Sequence, residues 1–186
     1  MRKVIYAINM TIEGCCDHTK LSGSDEIYEY YTSMLKDVDG LLYGRKTYQL
    51  MVPFWPEIAK KHSGSTKPMN DFAQAFDSVR EIIVISQTLG RAEEKNTKII
   101  RANLQEEILK LKHEPGKDIL TGGVNIPTQL IQLGLVDELR IVIQPIVVGE
   151  GVRLLEGVSL PQKLQFNLIN SRTFQSGSLA LRYLKS

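Results

Sequence analysis

Two short segments of this chain set glycine and a hydroxyl side by side after an apolar run, and one of them adds two cations. Asp118-Ile119-Leu120-Thr121-Gly122-Gly123-Val124-Asn125 ends in two adjacent glycines, and Asn125 and Pro127 then open a helix. Leu41-Leu42-Tyr43-Gly44-Arg45-Lys46-Thr47-Tyr48 again runs from strand to glycine, here followed by two cations and a hydroxyl. A strand that ends in glycine at a helix start presents bare backbone N–H groups. The helix dipole favours an anion there, and the missing Cβ lets a phosphate approach. One Gly-Gly alone is equally a tight turn with nothing bound. Two such junctions in one small chain suggest a dinucleotide.

The common nucleotide signatures are absent. No G-x-x-x-x-G-K-[ST] occurs, which argues against a P-loop hydrolase. Gly149-Glu150-Gly151 lacks a third glycine and does not follow the first strand, so it fails the Rossmann fingerprint and reads as a turn. A formal charge of +2 with scattered Lys and Arg gives no footprint for nucleic acid. Arg2-Lys3 precede only the brief run Val4-Ile5-Tyr6-Ala7-Ile8, too short for a secretory segment or a membrane span. Cys15-Cys16 are neighbours without C-x-x-C spacing and read as free thiols of a reducing cytoplasm. His18, His62 and His113 lie far apart, so no metal is expected.

At 186 residues the chain is read as one domain spanning residues 1–186. The first strand covers residues 4–8. Ser24 caps a helix with Asp25 and Glu26 in its first turn, and Ile27, Tyr30, Tyr31, Met34 and Leu35 recur at helical spacing. Residues 38–43 form the second strand. A loop is expected around Pro53-Phe54-Trp55-Pro56, then a polar stretch 62–66 and a helix with Met69, Phe72, Ala73 and Phe76 on its core side. Strands follow at 81–85 and 98–100, a helix capped by Asn103, and a strand at 118–121. The next helix ends at Gly134, a position suited to a left-handed residue. Residues 139–148 read as one long apolar strand, and 164–169 with 179–184 as an antiparallel hairpin. Alternating strands and helices imply an α/β fold, a mostly parallel sheet covered on both faces, closed by antiparallel strands.

Leu42-Tyr43-Gly44-Arg45-Lys46-Thr47-Tyr48 resembles the hydrophobic-Met-Gly-Arg-x-Thr-Tyr/Trp segment of the dihydrofolate reductase superfamily. Ile85-Ser86-Gln87 resembles its adenosine-side strand end, and Thr121-Gly122-Gly123 its Gly-Gly junction. The ordered run Gly134-Leu135-Val136-Asp137-Glu138-Leu139…Pro145-Ile146-Val147-Val148-Gly149-Glu150-Gly151 is more particular. It is similar to the reductase domain of the bifunctional riboflavin-biosynthesis deaminase/reductase and its stand-alone bacterial relatives. Thr11-Ile12-Glu13-Gly14 parallels that branch's Ser-Leu-Asp-Gly, with hydroxyl and acid conservatively exchanged. The resemblance covers nearly the whole chain, and no His/Cys zinc signature of a deaminase precedes it.

The resemblance implies a dihydrofolate-reductase-like fold that binds NADPH. Ala7, Gly14, Gly44, Arg45, Lys46, Thr47, Ser86, Gln87, Arg101, Thr121, Gly122, Gly123, Val124 and Asn125 would contact the cofactor. Arg45 and Lys46, with Ser86 and Arg101 at neighbouring strand ends, would meet the 2′-phosphate, since Arg suits phosphate oxygens. Residue chemistry alone leaves them equally a solvated pair. Glu13 is the candidate catalytic residue, orienting substrate or ribose hydroxyls; a plain loop carboxylate is the competing reading. Trp55 is either an aromatic pocket wall or a core anchor. The acid that dihydrofolate reductases carry on the first helix falls at Tyr28 here, with Asp25, Glu26 and Glu29 nearby, which argues against true dihydrofolate reduction. The expected function is hydride transfer from NADPH to a small molecule, as in 5-amino-6-(5-phosphoribosylamino)uracil reduction. The rivals are a reductase of another substrate with weak or no dihydrofolate activity, and a non-catalytic NADPH-binding protein. A cytoplasmic homodimer is expected, its interface near the apolar run 139–148 and Leu154-Leu155, with no nucleic-acid or membrane partner.

Overall fold

The computed structural model describes residues 1–92 and 96–186. In chain order the elements are β1 (Val4–Thr11), α1 (Asp25–Asp37), β2 (Val38–Gly44), α2 (Arg45–Met51), α3 (Phe54–Lys61), α4 (Lys67–Asp77), β3 (Glu81–Ile85), β4 (Thr97–Ile100), α5 (Leu104–His113), β5 (Asp118–Thr121), α6 (Asn125–Gln132), β6 (Glu138–Gln144), β7 (Phe166–Thr173) and β8 (Leu179–Lys185). The eight strands form one sheet in the order β4-β3-β2-β5-β1-β6-β8-β7. β1 runs parallel to β6, and β3 parallel to both β2 and β4; β8 is antiparallel to β6 and β7. This is the mostly parallel, helix-flanked sheet with an antiparallel end that the sequence implies. The chain forms two compact units, a central one of Met1–Arg2 with Gly23–Leu120 and a terminal one of Lys3–Ser22 with Thr121–Ser186.

In the central unit the helix starts follow their caps. The Ser24 hydroxyl accepts from the Ile27 amide, Thr66 from Met69, and the Asn103 side chain from Gln105 and Glu106. The stretch Pro53-Phe54-Trp55-Pro56 departs from the sequence reading, because α3 begins where a loop was expected. Pro53 caps α3 and Pro56 lies in its first turn, where no backbone N–H is needed. Trp55, Ile58 and Ala59 form the buried face of α3. The Trp55 ring lies 4.6 Å from Phe72 and 6.0 Å from Tyr28, centroid to centroid, so Trp55 is a core anchor. At the other end of the strands, Arg2 is 4% exposed. Its guanidinium donates to the Lys117 carbonyl at 2.6 Å, Asp39 at 2.5 Å and Glu81 at 3.3 Å, tying the starts of β2 and β3 to the approach of β5.

In the terminal unit β6 stops at Gln144, four residues earlier than the apolar run suggests. Pro145 has no N–H to continue the ladder, and the Ile146 amide turns back to the Gln144 carbonyl at 2.8 Å. Gly134 has φ +66, and the Leu135 and Gly134 amides close onto the Leu130 and Ile131 carbonyls, a Schellman end to α6. Glu138 is fully buried and accepts from Arg140 at 2.5 Å and from Arg182 at 2.7 and 3.0 Å. Burial would push its carboxyl up, but these guanidiniums hold it below the usual range. Leu154 and Leu155, expected as exposed apolar surface, are half-buried; Val147 and Val152 are the large apolar residues exposed in that loop.

Candidate functional site

The central unit gathers its predicted residues by register. Gly44 pairs with Ile85 and Ile85 with Ile100, so Gly44-Arg45, Ser86 and Arg101 leave three adjacent parallel strands at one level. Gly44 begins α2 without any side-chain cap, and no acidic residue lies in the first turn. Arg45 and Lys46 are exposed at the positive end of the helix dipole, where a cation is disfavoured. Neither has an ion pair or side-chain hydrogen bond among the described residues. This arrangement accommodates an anion better than it stabilises the free helix. Thr47 is half-buried beside them.

The neighbouring strand ends are knitted together. The Ser86 hydroxyl accepts from the Thr88 and Leu89 amides at 3.2 and 3.0 Å. The Gln87 amide donates to the Arg101 carbonyl at 2.8 Å, and Arg101 Nη2 donates to the carbonyls of Leu89 and Gly90. Ser86 retains its own proton, and Arg101 its remaining guanidinium N–H groups, for a ligand oxygen.

In the terminal unit, Thr121 is fully buried and Gly122 and Gly123 lead into α6. Gly123 has φ +80, which glycine adopts without penalty. Val124 is the N-cap and offers no side-chain acceptor. Asn125 does not supply one either, because its Oδ1 accepts from Gln129 at 2.9 Å. The first amides of α6 are therefore left without a side-chain cap, as an anion-receptive turn requires. The Tyr6 hydroxyl donates to the Gly123 carbonyl at 2.8 Å. Sequence reasoning missed that contact, since a tyrosine inside a buried strand reads as core.

The loop after β1 is laced to the loop after β6. The Ile12 amide donates to Ile146, Cys16 to Val152 and Leu154 to Gly14. Ala7 is buried in β1, and Gly14 makes the turn at φ +85. Glu13 Oε1 accepts from the Val148 and Gly149 amides at 2.6 and 3.0 Å, while Oε2 is buried with no hydrogen-bond partner. The Thr11 hydroxyl, followed by the Val148 amide, holds the Glu13 carboxyl down at about 2. Glu13 is thus ionised at neutral pH. It can accept a hydrogen bond from a hydroxyl or amine, but it has no proton to deliver. Glycine is required at 151, because a Cβ there would lie 2.7 Å from Cys15 Sγ. Burial, with Cys15 beside it, pushes the Cys16 thiol up to about 11, so it is a poor nucleophile.

Among the described residues no three His, Cys, Asp or Glu side chains cluster to hold a metal, and no helix is long and apolar enough to cross a membrane. On α1, Asp25 accepts from the Thr66 hydroxyl at 2.6 Å, and Asp25 and Glu26 occupy the dipole-favoured first turn. Burial raises the Tyr28 phenol, with a further push from Asp25.

Known proteins share this fold. The chain is 36% identical over 154 residues to the uncharacterized protein YyaP of Bacillus subtilis (strain 168), covering 82% of this chain and 77% of that one. Among solved structures, a putative riboflavin biosynthesis protein from Shewanella sp. PV-4 superposes with a TM-score of 0.75 at 18% identity, over 99% of both chains. The deaminase/5-amino-6-(5-phosphoribosylamino)uracil reductase of Thermotoga maritima gives 0.67 at 14% identity, over 100% of this chain and 57% of that one. Dihydrofolate reductase from Enterococcus faecalis, complexed with NADP(H), gives 0.64 at 12% identity over 99% and 96%. The fold is therefore dihydrofolate-reductase-like. A sequence profile of the RibD C-terminal domain matches residues 2–180, and with that span the chain belongs to the RibD C-terminal domain family.

Proposed function

We propose that this protein is a cytoplasmic NADPH-dependent reductase of a small molecule, with the ribosylaminopyrimidine of riboflavin synthesis as the leading substrate class. The observation that carries the reading is the pair of exposed, unpaired cations Arg45 and Lys46 at the uncapped start of α2. Their chemistry fits a 2′-phosphate, and the uncapped start of α6 behind Gly122-Gly123 fits a diphosphate. NADPH, when bound, supplies the hydride. Arg45, Lys46 and Arg101 would hold the phosphate of the adenosine ribose, with Thr47 and Ser86 donating hydroxyl hydrogen bonds and Gln87 bracing Arg101. The backbone from Thr121 through Asn125 would meet the diphosphate, while Ala7 and Gly14 leave room for the cofactor. Glu13, fixed as an anion, would accept from a substrate or ribose hydroxyl. The test is loss of NADPH absorbance with 5-amino-6-(5-phosphoribosylamino)uracil or its dephosphorylated form. Turnover supports the assignment; tight NADPH binding with no oxidation by any candidate supports a non-catalytic binder.

The low-lying Glu13 carboxyl and the tyrosine at position 28 favour a substrate other than dihydrofolate, since neither supplies a carboxylic acid protonated near neutral pH. A homodimer is part of the same proposal. Leu139, Ile141 and Ile143 of β6 pair with Tyr183, Leu181 and Leu179 of β8 on one half-buried apolar face, extended by exposed Leu168 of β7. Sedimentation at micromolar concentration should give a dimer, and Leu181→Glu should shift it to monomer without unfolding it. A wild-type monomer refutes the dimer.

A further inference from the structure

Resting on the reading of an NADPH site, we propose that Tyr6 is the positioning residue of the Gly-Gly junction. Its phenol holds the Gly123–Val124 peptide so that the Val124 N–H is aimed at the cofactor diphosphate.

Tyr6 lies mid-strand in β1 and is 1% exposed, so it acts on a ligand only through what it touches. Its hydroxyl donates to the Gly123 carbonyl at 2.8 Å, across 117 residues of sequence. A trans peptide points its C=O and N–H in opposite directions within one plane, and no cis bond occurs among the described residues. A carbonyl drawn toward the core phenol therefore turns the Val124 N–H away from the core. Two adjacent glycines leave the backbone of this junction free of the restraint a Cβ would impose. Val124, β-branched at φ −116, resists a complete flip of the peptide, which would carry it to positive φ. Tilt of the peptide plane is the freedom that remains, and the Tyr6 hydrogen bond limits it. Pro127 contributes no N–H to the first turn of α6, so the Val124, Asn125 and Ile126 amides are the donors to be aligned.

The experiment is Tyr6→Phe, which keeps the ring and removes the hydroxyl, with affinities measured by calorimetry at a temperature far below Tm. NADPH should bind roughly three- to tenfold more weakly, the equivalent of one neutral hydrogen bond. Binding of 2′-AMP, which has no diphosphate, should be unchanged. A contact with only a structural role would lower Tm and leave the NADPH Kd as it was; that result overturns the proposal. A second measurement needs no variant. In the wild-type protein titrated with NADPH, the Val124 amide proton should move downfield, and an unmoved Val124 resonance also overturns the proposal. Wild-type protein that fails to bind NADPH overturns the cofactor assignment and this inference together, whereas equal Kd values for wild type and Tyr6→Phe overturn the Tyr6 role alone.

Discussion

Arg45→Ala isolates the proposed phosphate-binding role from the fold. The side chain is exposed, caps nothing and has no partner among the described residues, so its removal should change stability by no more than about 0.5 kcal/mol. In the complex, a guanidinium–phosphate contact is charge-assisted and worth about 1.5–3 kcal/mol. That corresponds to about a ten- to hundredfold rise in the NADPH Kd. NADH lacks the 2′-phosphate, so its affinity should not move, and the wild-type preference for NADPH should shrink by the same factor. Lys46→Ala should have a smaller effect, because an ammonium is a mobile point charge rather than a planar fork. Arg101→Ala is a poorer probe, since Arg101 Nη2 also holds the carbonyls of Leu89 and Gly90. Calorimetry with both cofactors at low and physiological salt reads all of this. Screening should erode the wild-type preference more than that of Arg45→Ala. Equal wild-type affinities for NADPH and NADH, or an Arg45→Ala variant that weakens both alike, refutes the reasoning.

Three other outcomes follow from the described geometry. Gly123→Val should abolish NADPH binding with far-UV circular dichroism nearly unchanged; normal binding would make the junction a turn and nothing more. Glu13 has a folded value of about 2, below its usual 4.5. Its contribution is therefore present above about 4.5 and is lost as pH falls through about 2. Urea unfolding should show Glu13→Gln losing less stability than wild type over that interval, and parallel pH profiles would contradict the clamp. The Cys16 thiol, at about 11 rather than its usual 9.0, has about a hundredfold smaller thiolate fraction near neutrality. Iodoacetamide should label it far faster in urea than in buffer, and equal rates would refute the burial argument.

The sequence was most informative where a local rule decides structure. Ser24 and Asn103 start helices through their own side chains, Gly134 ends one through its φ, and β3 and β5 have the bounds that their apolar runs suggest. It misled where prolines carry two meanings. Pro53 and Pro56 read as loop but sit at a helix start, whereas the apolar run after Gln144 reads as strand although Pro145 stops it. The candidate site divides along the same line. The glycine junctions and their cations are contiguous motifs and were visible. The Tyr6–Gly123 bond and the Glu13 clasp on Val148 and Gly149 join residues 117, 135 and 136 apart, and no local pattern announces them.

The discontinuity of the terminal unit also bears on how the chain is made. Residues 23–120 form an uninterrupted stretch that holds nearly all of the central unit, and they leave the ribosome together. β1 emerges just before them, yet its partner β6 follows them, and the Val4 amide waits for an acceptor on Asp137, 133 residues later. Loop closure over that distance is slow compared with the local contacts of the central helices. During translation the segment Val4-Ile5-Tyr6-Ala7-Ile8 is thus an unpaired apolar strand, the species most exposed to mispairing with other nascent chains. Of the strand pairs described, β1 with β6 waits longest for its second member, so chaperone demand should fall on Val4–Thr11 rather than on the hairpin of β7 and β8.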